Sequence, residues 1–188
     1  MKRLLSLMLA AMLLFALAAV PTVAEGSDPT GAISPDIKWY SAEKTEFELR
    51  TAAEVLGFLQ LAQTEANFAH KTVRLTADIH LNPGTELCLK TDAEGKYTLP
   101  AKPANVWNGL PSWKGIFDGN GHVLSGVYVE VDCSGSYGRA SMFGIISEGT
   151  VKNLIVENSF ICAKNVKTGL PNDGSEGSSA AGIARRLQ

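Results

Sequence analysis

The chain has 188 residues, three cysteines and a formal net charge of −2. This length is that of one domain with a substantial core. Its charges are scattered along the chain, which excludes a polybasic patch for nucleic acid or anionic lipid.

Residues 1–24 have the pattern of a cleavable secretory signal peptide. Two basic residues precede an apolar run from Leu4 to Val20, and Pro21 leads into small residues that end at Ala24. A membrane anchor is the alternative, because the run approaches the roughly 17–25 residues that a spanning helix needs. The small residues after the run favour cleavage. Because no cysteine lies near the cut, a bacterial lipoprotein anchor is not expected. We therefore expect a secreted or cell-surface protein with no membrane span after cleavage, whose net charge shifts from −2 to −4.

The N-terminal part of the exported chain predicts a flexible spacer followed by one helix. Residues 25–38 are assigned to the spacer, because their first part is rich in Gly, Ser, Pro and Asp. Residues 39–188 then form one domain, with a short strand at Phe47-Glu48-Leu49. A capping helix is predicted over about 51–68, because Thr51 and Glu54 form a capping box ahead of apolar residues at helical spacing. Its polar face lacks basic residues, which argues against a membrane-surface role.

After the helix the apolar pattern alternates, which indicates strands. Strands are predicted at 72–76 and 79–81. Residues 82–112 contain several Pro and Gly and are predicted to be an inserted loop, with a small hairpin between 87–89 and 97–99. From Lys114 onward, short strands are separated by Gly/Asn turns; they are predicted at 115–117, 122–131, 141–146, 151–162 and 180–184.

The later strands repeat an apolar register. Leu124 can be laid over Val151 and Val127 over Leu154, an offset of 27, while Phe117 over Phe143 gives 26. A period in the twenties with short strands and no helices between them is typical of a β-helix. A β-sandwich with two similar hairpins is the alternative.

Several segments resemble, in order, those of bacterial surface proteins with GLUG-type repeats. Val73–Leu81 is similar to that family's "ktikLtaDIdL" segment, and Trp113–His122 to "FxGtFDGnGhtIsgl". Met142–Gly144 and Val151–Leu154 are similar to "gLFG…tIkNLtv", and the resemblance extends over about 39–184. It implies an all-β fold, a right-handed parallel β-helix of the pectate-lyase-like architecture with an N-terminal capping helix. The last residues resemble the middle of a coil, so we expect a truncated C-terminal end that missing sequence or a partner covers.

The candidate chemical groups have structural interpretations that we favour. Asp118 and His122 lie four residues apart around a turn, which suits acid/base chemistry, but Asp118-Gly119-Asn120-Gly121 is also an ordinary turn sequence. Trp107 and Trp113 suit sugar stacking, and core packing is favoured. The loop carboxylates do not have EF-hand spacing for calcium; they are Asp92, Glu94, Asp173 and Glu176.

The three cysteines, Cys88, Cys133 and Cys162, leave one thiol over in an oxidising compartment. They are interpreted as small buried hydrophobic residues, with a Cys133–Cys162 disulfide as the alternative. The sequence has no CxxC motif or Cys/His cluster, which disfavours zinc. We therefore assign no catalytic, cofactor-binding or metal-binding residue and expect no cofactor.

The sequence supports three hypotheses about function. The preferred one is an exported bacterial, non-catalytic module for binding, adhesion or display at the cell surface, with carbohydrate or a host or cell-surface protein as partner. The first alternative is a polysaccharide lyase or hydrolase on the same fold. The second is an N-terminal fragment of a longer surface protein with no independent function.

Overall fold

The computed structural model describes residues 31–64, 68–132, 139–164, 179–180 and 182–187. The predicted signal peptide lies outside the described residues. The described part consists mostly of strands with a single helix, and it contains no helix long and apolar enough to span a membrane. The elements are β1 (Glu46–Leu49), α1 (Ala52–Leu61), β2 (Thr72–Leu75), β3 (Ile79–His80), β4 (Lys90–Thr91), β5 (Tyr97–Thr98), β6 (Leu110–Trp113), β7 (Ile116–Asp118), β8 (Val123–Ser125), β9 (Tyr128–Asp132), β10 (Arg139–Ala140), β11 (Phe143–Ile146), β12 (Thr150–Lys152), β13 (Ile155–Glu157), β14 (Phe160–Lys164), β15 (Ser179–Ala180) and β16 (Ala184–Leu187).

The strands form small parallel sheets whose members come from successive passes of the chain. We call residues 72–113, 116–146 and 150–187 the first, second and third pass. The sheets have the orders β1-β2-β7-β12, β3-β8-β13, β6-β11-β16, β9-β14 and β10-β15. Only the hairpin β4–β5 is antiparallel among the described strands. The predicted all-β character is therefore confirmed, and the parallel pairing excludes the antiparallel β-sandwich alternative.

The predicted repeat register is wrong. Phe117 pairs with Val151 and Leu124 with Val156, offsets of 34 and 32 residues instead of 27. Phe143 pairs with Leu110 and not with Phe117. The overlay fails because it matches strands that belong to different sheets: β8 with β12 for the offset of 27, and β7 with β11 for the offset of 26. The turns are also unequal, since four residues link β7 to β8 and two link β12 to β13, so no single offset fits every pair.

The helix starts as predicted and ends early. The Thr51 hydroxyl accepts from the Glu54 N–H at 3.2 Å, and the Glu54 carboxylate accepts from the Thr51 N–H at 3.0 Å, which confirms the capping box. The helix ends at Leu61 instead of 68. Leaving the helix there lets the chain turn and bury Phe68, whose ring centroid lies 5.2 Å from that of Phe58.

Residues 31–40 form a strap across the helix, so the predicted spacer does not extend over them. The Asp36 N–H donates to the Ala53 carbonyl at 2.8 Å, and the Trp39 indole N–H donates to the Asp36 carbonyl at 2.7 Å. At Gly57 a β-carbon would lie 2.0 Å from the Asp36 carbonyl oxygen. Helix and strap together cover the β1 end of the first sheet, where Phe47 and Leu49 are buried.

The core lies between the sheets and is continuous through the first two passes. On β1 the inward side chains alternate with exposed ones: Phe47 and Leu49 are buried, and Glu46 and Glu48 are exposed. The predicted insertion is shorter than 82–112, because Leu110–Trp113 is a strand paired with β11. The predicted strand at 180–184 is replaced by β15 and β16.

Candidate binding surface

The insertion between β3 and β6 is closed at its base by two buried asparagines. The Asn82 amide donates to the Asn105 carbonyl and to the Gly126 carbonyl, both at 2.7 Å. The Asn105 N–H donates to the Asn82 amide oxygen at 3.1 Å. We call this pair the asparagine clasp, and it fixes both ends of the insertion to the turn between β8 and β9.

The clasp also holds the N-terminal strap. The Asn105 amide donates to the Leu81 carbonyl at 2.8 Å, and its oxygen accepts from the Ile33 N–H at 2.9 Å. Burying such amides is tolerated because their donors and acceptors are paired; an unpaired one would cost about 1–3 kcal/mol. Sequence reasoning missed the clasp, since Asn82 and Asn105 lie in a segment that reads as an irregular loop.

Apolar contacts anchor the insertion on the outer face of β9 and β14. Leu87 is fully buried there in a small cluster with Tyr128 and Phe160, whose ring centroids are 5.3 Å apart in a stacked arrangement. The Leu87 N–H donates to the Asn158 amide oxygen at 2.9 Å. The Trp107 N–H donates to the Tyr128 carbonyl at 2.9 Å, so this segment lies beside β9 like a further strand.

Beyond these anchors the insertion forms the hairpin β4–β5. Lys90 pairs with Thr98 and Thr91 with Tyr97, so the first strand lies after the predicted 87–89. The Asp92 carboxylate accepts from the Glu94 N–H at 3.2 Å and the Lys96 N–H at 2.7 Å, and thereby shapes the turn. Among the described residues no group of three possible metal ligands lies together; Asp173 and Glu176 lie outside the described part.

The hairpin exposes three large apolar side chains: Leu89 is 51% exposed, Tyr97 69% and Leu99 48%. We call them the hairpin patch. Antiparallel register sets Leu89 opposite Leu99, two residues along from the Thr91–Tyr97 pair, so all four lie on one face. Every residue from 88 to 99 is exposed, so the patch stands clear of the core and presents apolar surface to solvent.

The acid/base candidates Asp118 and His122 have different hydrogen-bond partners in the structure. Asp118 is buried and accepts from the Asn153 amide at 3.0 Å and the Asn120 N–H at 2.9 Å. The Lys152 ammonium lies 3.5 Å from its second oxygen. Burial raises the pKa of Asp118, but these hydrogen bonds and the Lys152 charge outweigh it and hold the pKa below its usual value. The carboxylate is therefore occupied by structural partners.

His122 pairs with a different carboxylate. Its Nδ1 lies 3.1 Å from the Asp78 carboxylate, which also accepts from the Val123 N–H at 3.0 Å. The hydrogen bond from Val123, followed by that from His122, lowers the pKa of Asp78. Asp78 and His122 thus join the turn after β2 to the start of β8.

Parallel register creates a polar row that sequence reasoning missed. His80, Ser125 and Glu157 occupy equivalent positions on β3, β8 and β13. The His80 Nδ1 hydrogen-bonds the Ser125 hydroxyl. If this serine acted as a nucleophile, nearby N–H groups would have to stabilise an oxyanion. The N–H of the next residue, Gly126, is already directed at the carbonyls of residues 157 and 158 and is not available for that role. Only the correct register would have revealed this row.

The two tryptophans lie in the core, as the favoured interpretation predicted. Trp107 and Trp113 are almost fully buried, and their indole N–H groups donate to the Met142 carbonyl at 2.9 Å and the Thr150 carbonyl at 3.3 Å. They are therefore not available to stack on a sugar.

The interpretation of the cysteines as buried residues is wrong for Cys88, which is exposed beside the hairpin patch. Cys162 is half-buried on β14. The alternative Cys133–Cys162 disulfide involves a residue outside the described part.

No family profile, curated protein or solved structure matches the chain.

Proposed function

We propose that this chain is an exported, non-catalytic module for binding, adhesion or display at the cell surface, and that the hairpin patch is its contact element. The observation that carries the proposal is a hairpin with three exposed large apolar side chains, Leu89, Tyr97 and Leu99, on an anchored base. Exposed apolar groups that contribute nothing to the core are typical of interaction sites. The resemblance to GLUG-type surface proteins supports the same class of function.

We further propose that the sheets belong to a right-handed parallel β-helix capped by α1. Parallel pairing of successive passes supports this arrangement, because all three passes contribute a strand to each of three sheets, those that contain β7, β8 and β11. Such a scaffold is rigid, and loops on a rigid scaffold are the usual place for binding residues. The hairpin lies on such a loop, the insertion between β3 and β6 of the first pass.

A binding assay with a patch variant tests the proposal. Residues 25–188, the chain expected after signal cleavage, would be labelled and applied to arrays of bacterial and host glycans and of extracellular-matrix proteins. A triple variant of this chain, with Leu89, Tyr97 and Leu99 all changed to Ser, should bind any ligand found at least about tenfold more weakly. This is the loss of affinity expected when a few central apolar contacts are removed. The matched control is Ile155→Ser, which removes an equally exposed apolar side chain from β13.

Three outcomes would overturn this function. The first is binding that the triple variant leaves unchanged, and the second is absence of binding to every probe. The third is release of unsaturated or reducing ends when the chain is incubated with pectins and related glycans in the presence of calcium, which would show the polysaccharide-active alternative.

A further inference from the structure

The strands of the third pass each have a partner on one side. β12, β13 and β14 pair with β7, β8 and β9 of the second pass. No described strand pairs with their opposite edges. Unpaired strand edges present N–H and C=O groups that readily accept another strand.

The inward side chains of the third pass are incompletely covered. Val151, Val156 and Ile161 are only half-buried. Their register partners in the second pass, Phe117, Leu124 and Val129, are 0–1% exposed. Among the described residues, the third pass therefore ends in a partly covered apolar surface, bordered by strand edges with which no described strand pairs; we call it the open end.

The free backbone groups of β14 can be assigned. The Phe160 N–H donates to the Val127 carbonyl at 2.8 Å, so the backbone N–H and C=O groups of Phe160 point toward β9. In a parallel pair, alternate residues bond to alternate sides. The N–H groups of Ile161 and Ala163 consequently point away from β9, toward the open end.

The opposite end of the molecule is closed. There α1 and the strap cover the β1 side, where Val55, Phe58 and Leu59 are buried against the core. A head-to-tail chain of copies would need an exposed apolar surface at both ends of the molecule. The β1 end does not offer one, because α1 and the strap cover it. An apolar end that meets the same end of another copy gives a closed two-fold contact.

The outward charges suit a two-fold contact. On β12, β13 and β14 the last residue is charged, namely Lys152, Glu157 and Lys164, whereas the first residues, Thr150, Ile155 and Phe160, are uncharged. A copy related by a two-fold axis runs its strands antiparallel, so strand ends are exchanged. Whichever of these strands lies on the axis, its charged last residue is then opposite the uncharged first residue of the same strand in the other copy. Like charges are therefore not brought together.

We propose that two copies of this chain associate tail to tail through their third passes, each covering the open end of the other. The contact buries the partly exposed side chains of Val151, Val156 and Ile161 and supplies backbone partners for the strand edges of the open end. Each dimer would carry two hairpin patches, which would strengthen attachment to a multivalent surface.

Sedimentation velocity of residues 25–188 over a concentration series tests this dimer. The unmodified chain should sediment at twice the mass of one chain at high concentration. Val156→Lys places a charge on the open end and should give a single-chain mass at the same concentrations. Ile155→Lys, one residue earlier on the outward face of β13, is the matched control and should remain a dimer.

A second variant separates loss of the contact from loss of the fold. Ala163→Pro removes an N–H that faces the open end and leaves the bonds to β9 in place, the position where an edge strand tolerates proline. It should be a single chain with an unchanged circular-dichroism spectrum. In the unmodified chain, hydrogen exchange at Ile161 and Ala163 should slow at least tenfold as concentration rises.

A single-chain mass for the unmodified protein at every concentration would overturn the dimer, as would a dimer that persists in both variants. The triple hairpin variant should remain dimeric, so a failure of the binding function and a failure of the dimer are distinguishable.

Discussion

Gly57 is the residue at which two backbones come into contact. A β-carbon there would lie 2.0 Å from the Asp36 carbonyl oxygen, a backbone atom that cannot rotate away. The strap's bond from Asp36 to Ala53 and the bond from the Trp39 indole both depend on this approach. Glycine is required at this helix position in spite of its low helix propensity.

We therefore expect Gly57→Ala to destabilise the fold by about 1–3 kcal/mol, the usual range for overpacking, although alanine favours the helix itself. Chemical denaturation measures the free energy of unfolding. The control is Gln60→Ala, an exposed position of the same helix, which should change it by less than about 0.5 kcal/mol. A stabilised Gly57→Ala variant would show that the strap does not pack on the helix.

Asp118 is a buried carboxylate within a row of alternating charge. Glu48, Arg74, Asp118 and Lys152 occupy equivalent positions on the four strands of the first sheet. The row joins three passes of chain through side chains, with Asp118 the most buried of its acidic members.

Asp118→Ala should destabilise the fold by about 1–3 kcal/mol, because the Asn153 amide and the Asn120 N–H lose their acceptor. The effect depends on pH. Since the folded pKa lies below the ordinary 3.8, the contribution of the charged form is present above pH 3.8 and is lost as the pH falls through the folded pKa. Melting temperatures from pH 7 to pH 2.5 should thus show the unmodified chain and Asp118→Asn converging in acid. Convergence at high pH instead would contradict the assignment.

At the scale of elements, the insertion combines a fixed base with a projecting hairpin. The asparagine clasp and Leu87 hold the base, whereas residues 88–99 are all exposed. An isolated two-stranded hairpin contributes little stability of its own. Stability and the proposed binding function are therefore assigned to different parts of one insertion.

Replacing residues 89–99 by a short Gly/Ser linker should leave the melting temperature within a few degrees of the original. Asn105→Ala should instead cost about 2–4 kcal/mol, since it breaks bonds to Leu81 and Ile33 and leaves buried backbone groups unpaired. Thermal unfolding by circular dichroism compares the two. If the hairpin deletion were the more damaging change, the base would not be the anchor.

For the whole molecule, sequence predicted local features well and long-range register poorly. The capping box and the alternating strands β1, β2 and β7 follow from residues close together in sequence. The register does not, because the four-residue turn before β8 and the two-residue turn before β13 shift the partner of every later residue.

The candidate site shows the same limit. The sequence predicts a hairpin in the insertion but places its first strand at 87–89 instead of Lys90–Thr91. It does not reveal the clasp, which joins residues 23 apart. Closeness in sequence likewise suggests that Asp118 and His122 act together. Their true partners, Asn153 and Asp78, come from other passes of the chain.

Stability should also be unequal along the molecule, decreasing from the capped end to the open end. Val73 on β2 and Val151 on β12 lie in the same inward row, joined through Phe117. Val73 is 0% exposed, whereas Val151 is half-buried at the open end. The same substitution at both positions therefore measures how far the core is covered at each end.

Val73→Ala should cost about 2–3 kcal/mol from lost burial and the cavity that remains. Val151→Ala should cost less than about 1 kcal/mol in dilute solution, because its methyl groups already contact water. At concentrations where two copies cover each other's open ends, the cost of Val151→Ala should rise toward that of Val73→Ala. Denaturation at low and high protein concentration gives both values. Equal costs in dilute solution would show that the third pass is already covered within one chain.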